Sequence, residues 1–139
     1  LVVFPFPRLI PLKNQSIAVI KDAVPESRFG PQIPGTRKGL VSHVCPDTAH
    51  IRQMDVTVSP RLIVFPTYAA GAATQFVQMK KSETFAELTQ HAFNYALLAR
   101  EGFETVAGLV DSVQAYRMTY SQLEDANERL REMFDRGEA

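Results

Sequence analysis

Proline punctuates the first part of this chain and then stops. All nine prolines lie between Pro5 and Pro66, and each removes a backbone donor and fixes its own φ. Only short elements fit between such breaks. Leu1–Phe4 reads as a strand interrupted by Pro5 and Pro7, and Arg8–Ile10 as a second strand ending before Pro11. From Asn14 the apolar period changes. Ile17, Ala18, Ile20 and Val24 share one helical face, Asn14 or Ser16 is the expected N-cap, and Pro25 ends the helix. Residues 25–39 hold three prolines and three glycines and read as a long irregular loop.

That loop delivers Gly35-Thr36-Arg37-Lys38-Gly39, followed by a strand over Leu40–Val44. Asp47 to His50 reads as one helical turn. Arg61–Phe65, between Pro60 and Pro66, is the clearest strand, an apolar run expected to be buried on both faces.

Beyond Pro66 the pattern lengthens. Tyr68 to Thr74 is a small-residue turn and Thr74–Met79 a strand. Ser82 is the expected cap of a helix with Glu83 in its first turn, and Phe85, Leu88, Ala92, Tyr95, Ala96 and Ala99 on its apolar face. Gly102 is expected to stop it. Phe103, Val106, Ala107, Val110 and Val113 mark a second helix, forming a hairpin with the first against the sheet. Tyr116–Tyr120 is a strand, and Ser121 with Glu124 has capping-box spacing for a last helix. Leu123, Ala126, Leu130 and Met133 are its buried stripe, with fraying from Asp135. Strands and helices mix without regular βαβ alternation. The reading is one domain over 1–139, an α/β or α+β unit with a mixed sheet and packed helices.

Fifteen basic and fifteen acidic residues cancel, so no global charge drives binding to nucleic acid or anionic membrane, and phosphate recognition must be local. Apolar runs are far shorter than a membrane span. The single cysteine, Cys45, excludes an internal disulfide, reads as a structural thiol and suits a reducing, cytoplasmic setting. The chain starts at Leu1 inside an apolar run, which suggests a piece of a longer protein with its first strand in a sheet begun upstream.

Arg37 and Lys38 are adjacent cations between glycines. They read as a solvated loop pair or as an anion-contacting loop, since Arg offers a planar fork and Lys a point charge. Lys13, in the turn before the first helix, is a third candidate. His43 is kept as a secondary candidate beside the alternative of a core histidine, and His91 as a packed or half-exposed helix residue. No histidine pair has zinc-protease spacing and no metal ligand set is read here. Walker A, nucleophile-elbow and protein-kinase tripeptide motifs are absent from these 139 residues.

Several stretches, in one order along nearly the whole chain, resemble HPr-kinase-related proteins of type A. They are Pro11 to Ile17, Gly35 to His43, Leu62 to Pro66 with Tyr68 and Ala70-Gly71-Ala72, His91 to Leu98, Gly102-Phe103-Glu104 and Tyr116 to Leu123. The resemblance implies the carboxy-terminal portion of a P-loop kinase with a phosphoenolpyruvate-carboxykinase-like fold. It implies ATP and Mg²⁺ as cofactors of the full-length protein, and an activity of the Ser/Thr protein- or peptide-kinase type, with oligomerisation possible. The catalytic base, the metal ligands and the Walker A loop then lie upstream of Leu1, and this portion alone is expected to be inactive. Lys38-Gly39 stands where HPr kinases proper have an Arg-Gly pair beside a glutamate; Gly35-Thr36-Arg37 precedes it here. Alternatives are a non-catalytic peptide- or protein-binding module and a small-molecule kinase.

Overall fold

A computed structural model describes residues 1–136. The described residues form a mixed α+β structure with two three-stranded sheets and five helices. Its contacts divide it into two compact units, Val3–Val58 and Leu1–Val2 with Ser59–Ala139. No helix among the described residues is long and apolar enough to cross a membrane.

The Val3–Val58 unit contains β1 (Ile10–Lys13), α1 (Gln15–Ala23), β2 (Ile33–Thr36), β3 (Gly39–Val44) and α2 (Thr48–Ile51). β3 is central, with β1 and β2 antiparallel on either side. One face of β3 packs its alternate residues inward. Leu12, Ile17 and Val44 form the core, with Ile20, Phe29 and Leu40 packed on it. Ser42 is fully buried on the same face, and its hydroxyl donates to the Gly30 carbonyl at 3.0 Å. Asp47 caps α2, accepting the Ala49 N–H at 3.1 Å.

The second unit contains β4 (Leu62–Tyr68), β5 (Gln75–Gln78), α3 (Lys81–His91), α4 (Tyr95–Ser112), β6 (Gln114–Tyr120) and α5 (Leu123–Asp135). β6 is central, parallel to β4 and antiparallel to β5. A parallel pair needs a long crossover, and α3 with α4 supplies it. The two helices pack together through Phe85, whose ring meets Tyr95 and Phe103 edge-on at 6.3 and 5.3 Å. Met79, Val106, Val110, Ala115, Met118 and Ala126 are the buried apolar residues. The stripe Leu123, Ala126, Leu130, Met133 does face inward on α5. Thr74, buried beside β5, and then Arg129 hold the exposed Asp125 carboxyl below its ordinary range.

Several boundaries differ from expectation, for identifiable reasons. β1 starts later than Arg8 and runs through Pro11; β4 runs through Pro66 to Tyr68; β2, carrying Pro34, lies inside the stretch read as loop. All three are edge strands, which need ladder bonds on one side only, whereas central β3 and β6 hold no proline. β4 is half-buried from Leu62 to Phe65, not buried on both faces. Leu1–Phe4 is no strand: Val3 alone exchanges a pair of backbone bonds with Val58 at 2.8 and 3.1 Å. Lys80, not Ser82, is the N-cap of α3, and the Glu83 carboxylate accepts its N–H at 3.3 Å. The Ser121 hydroxyl donates to the Ala72 carbonyl at 2.7 Å instead of closing a capping box, and Gln122 stands at the cap. Beyond Arg136, which still bonds Glu132, the expected frayed end lies outside the described residues.

The largest correction concerns Gly102. It does not stop a helix but lies buried inside α4, and the break between the helices falls at Ala92–Asn94. A second break sits at Ala99, which has a positive φ of 46° and turns Tyr95–Leu98 back on the helix. A Cβ on Gly102 would stand 2.8 Å from the Tyr95 carbonyl oxygen and 3.3 Å from the Leu98 Cβ. Gly102 is therefore a packing glycine.

Two helical glycines thus predict opposite outcomes. At exposed Gly108 an added Cβ meets nothing within 4 Å, so Gly108→Ala should stabilise by up to about 1 kcal/mol through helix propensity. Gly102→Ala makes the same propensity gain but must displace backbone, an overpacking cost of roughly 1–3 kcal/mol. Urea unfolding should rank the proteins Gly108→Ala, wild type, Gly102→Ala.

Candidate functional site

The stretches around Lys13 and Arg37-Lys38 meet at one corner of the Val3–Val58 unit. Arg37 and Lys38 are not in an irregular loop. They are the two-residue tip of the β2–β3 hairpin, flanked by the register pair Thr36 and Gly39. The Thr36 hydroxyl locks the tip, donating to the Gly39 carbonyl at 2.6 Å and accepting the Lys38 N–H at 3.1 Å. Gly35 and Gly39 have φ of 69° and 82°, which lets the chain reverse without a glycine at the tip itself.

Asn14 holds this tip against the β1–α1 turn. Its backbone N–H donates to the Leu40 carbonyl at 2.9 Å, its Oδ1 accepts the Leu40 N–H at 3.0 Å, and its Nδ2 donates to the Lys38 carbonyl at 3.4 Å. The side chain occupies the space that a Cβ on Gly39 would fill. Neither expected N-cap serves α1 through its side chain. Asn14 has a φ of 49° and faces the hairpin, while the Ser16 hydroxyl accepts the Lys13 N–H at 2.9 Å and donates to the Lys13 carbonyl at 2.7 Å. Both residues rigidify the turn that carries Lys13.

Lys13, Arg37 and Lys38 are exposed and none forms an ion pair among the described residues. Every ion pair there joins residues of the second unit, from Lys81–Asp111 at 2.7 Å to Arg136–Glu132 at 3.2 Å. The chain's zero charge hides a segregation. Residues 3–58 carry Arg8, Lys13, Lys21, Arg28, Arg37, Lys38 and Arg52 against Asp22, Glu26, Asp47 and Asp55, a formal +3. The remaining residues carry −3.

His43 lies away from the tip. It pairs with Pro11 across β1 and β3, on the face opposite buried Ser42, and is half-buried. It lines an open depression of about 450 Å³ with Phe6, Arg8, Leu9, Ile10 and Pro11. Sequence reasoning missed Phe6 and Arg8, whose guanidinium lies 5.6 Å from the Phe6 ring centre. The only signal was an aromatic and a cation two residues apart around a proline. His91 is exposed at the end of α3, with Nε2 3.8 Å from the Glu87 carboxylate. Cys45, half-buried, directly follows central β3, its N–H donating to the Arg28 carbonyl at 2.8 Å. Among the described residues no three or more His, Cys, Asp and Glu gather as a metal site would require. The corner thus presents three cations on a braced backbone.

The Asn14–Gly39 contact predicts an order of stabilities. Gly39→Ala adds a strained positive φ to a collision with Asn14 and should cost at least about 2 kcal/mol. Asn14→Ala loses two side-chain bonds, about 1 kcal/mol each. Asn14→Gly loses the same bonds but relieves the backbone, and should cost less. In chemical denaturation Asn14→Gly combined with Gly39→Ala should cost less than the two changes summed, because both act on one contact.

No family model, curated protein or solved structure matches this chain.

Proposed function

We propose that the Val3–Val58 unit supplies the phosphate-contacting cations of an ATP-dependent phosphotransferase. The reading includes the P-loop kinase fold, and a Ser/Thr-type protein or peptide as acceptor, as the resemblance to HPr-kinase-related proteins implies. One observation carries it. Asn14 joins the Lys13 turn to the Arg37–Lys38 tip by three hydrogen bonds, so cations separated in sequence by 24 positions stand on one braced corner.

The chemistry fits that arrangement. Phosphoryl transfer depends on positioning and on cations that neutralise charge developing on the phosphate oxygens. At this corner the backbone groups do the holding and leave the side chains free. Lys38 is bonded through its N–H and its carbonyl, so its ammonium takes no part in the fold. Arg37 offers two parallel donors to a phosphate, and Lys38 and Lys13 offer point charges. ATP supplies the transferred group when bound; the acid–base and metal chemistry fall to residues outside this corner.

The test pairs kinetics with stability in the intact protein. Lys38→Ala should lower turnover on the order of a hundredfold, the usual effect of losing one transition-state donor. Its stability should change by less than about 0.5 kcal/mol, since both hydrogen bonds at that position belong to the backbone. Arg37→Ala should act in the same direction and less strongly. Wild-type turnover in Lys38→Ala would make the pair a solvated hairpin tip.

A further inference from the structure

We propose that the depression beside His43 is the nucleobase subsite of a nucleotide whose phosphates reach the Lys13 and Arg37–Lys38 corner. The proposal rests on the phosphate-binding reading of that corner and adds where on this unit the base of the nucleotide lies.

Register supplies the first argument. Cross-strand partners share a sheet face, so Pro11 with His43, and Lys13 with Val41, stand side by side on the face opposite the core. The depression is built around the first pair, and Lys13 belongs to the second. The two pairs are two strand positions apart, about 7 Å, which suits a ribose and the start of a phosphate chain. Continuing along β3 the same face leads to the hairpin tip. Apolar surface and cations thus follow one another in the order that a base and its phosphates require.

The lining supplies the second. At about 450 Å³ the depression is of ordinary ligand size, and its walls are apolar apart from Arg8 and His43. Phe6 is 79% exposed with Arg8 stacked over it. An exposed aromatic under a guanidinium is a stacking platform for a flat heterocycle. The imidazole of His43 can hydrogen-bond a base edge. Charge supplies the third. This unit has a formal +3 and none of its cations is paired with a carboxylate among the described residues, so a polyanion meets no internal competitor.

Calorimetric titration of the 139-residue chain tests this with ATP, inorganic triphosphate and a short single-stranded oligonucleotide. ATP should bind more tightly than triphosphate. Phe6→Ala should weaken ATP about tenfold and leave triphosphate unchanged, whereas Lys38→Ala should weaken both. The His43 ring signals in the proton NMR spectrum should shift with ATP and stay in place with triphosphate. Unchanged ATP affinity in Phe6→Ala, or an unmoved His43 signal, overturns the base subsite; the phosphate corner then still stands if Lys38→Ala weakens triphosphate. Absence of binding by both ligands overturns both readings. An oligonucleotide that binds more tightly than ATP reassigns the face to nucleic acid and overturns the nucleotide. A thermal melt of Phe6→Ala guards against misfolding, and Arg8→Gln, expected to act on ATP alone, repeats the comparison at a second lining residue.

Discussion

The Val3–Val58 unit depends on the contact between Asn14 and Gly39. Its hydrophobic core is three buried side chains with a few half-buried neighbours, little for a segment of this length. Polar contacts must therefore hold what packing does not. Asn14 fastens the β1–α1 turn to the hairpin, and it fits only because Gly39 lacks a side chain. Each residue takes a positive φ that the other's presence supports. A small core, a strained pair and an interlocking amide give a local stiffness that neither strand propensity nor apolar burial would provide.

The second unit solves a different problem. Its parallel β4–β6 pairing obliges the chain to leave the sheet and return, and the crossover contains both irregularities of the long helical region, Ala99 and Gly102. Tyr95 and Phe103 both meet the Phe85 ring from either side of the break at Ala99 in the chain, and the fold-back there is tight enough to exclude a methyl group at Gly102. The cost of a positive φ at alanine, of order 1–3 kcal/mol, is set against that aromatic cluster.

Legibility followed the strength of the periodic signal. The helix after Asn14, the strand before Cys45 and the apolar stripe of α5 could be read from spacing, because burial of one face imposes the period. The helices α3 and α4 were read as two, but with the break set at Gly102 and Tyr95–Ala99 on the wrong one. Proline was over-read. Pro11, Pro34 and Pro66 stopped strands on paper and not in the fold, since edge position is a property of the sheet and not of the segment. Gly102 was read through its φ when its role is steric. Ser121 and Ser16 had cap-like neighbours but found other partners, far along the chain or on the wrong side of the helix start, and Ser82 lies inside α3 with Lys80 at its cap. Lys13, Arg37 and Lys38 were legible as cations; their meeting was not, because it runs through the amide of Asn14, which in sequence looks like an ordinary cap.

Net charge shows why a whole-chain average misleads about recognition. A sum of zero argues against a global field, and that inference holds. What it conceals is that the ion pairs among the described residues all lie in the second unit, while in the first the cations are in excess and form none. A cation held by internal pairing must break that pair to meet a ligand. A cation whose backbone alone is fixed has no such competitor and keeps its side-chain freedom until a ligand arrives. Bracing the hairpin tip through Thr36 and Asn14, and through main-chain atoms of Lys38, Gly39 and Leu40, fixes where the charges originate without spending the charges themselves. Preorganisation of that kind reduces the ordering cost of binding a polyanion to the rotamers of three side chains.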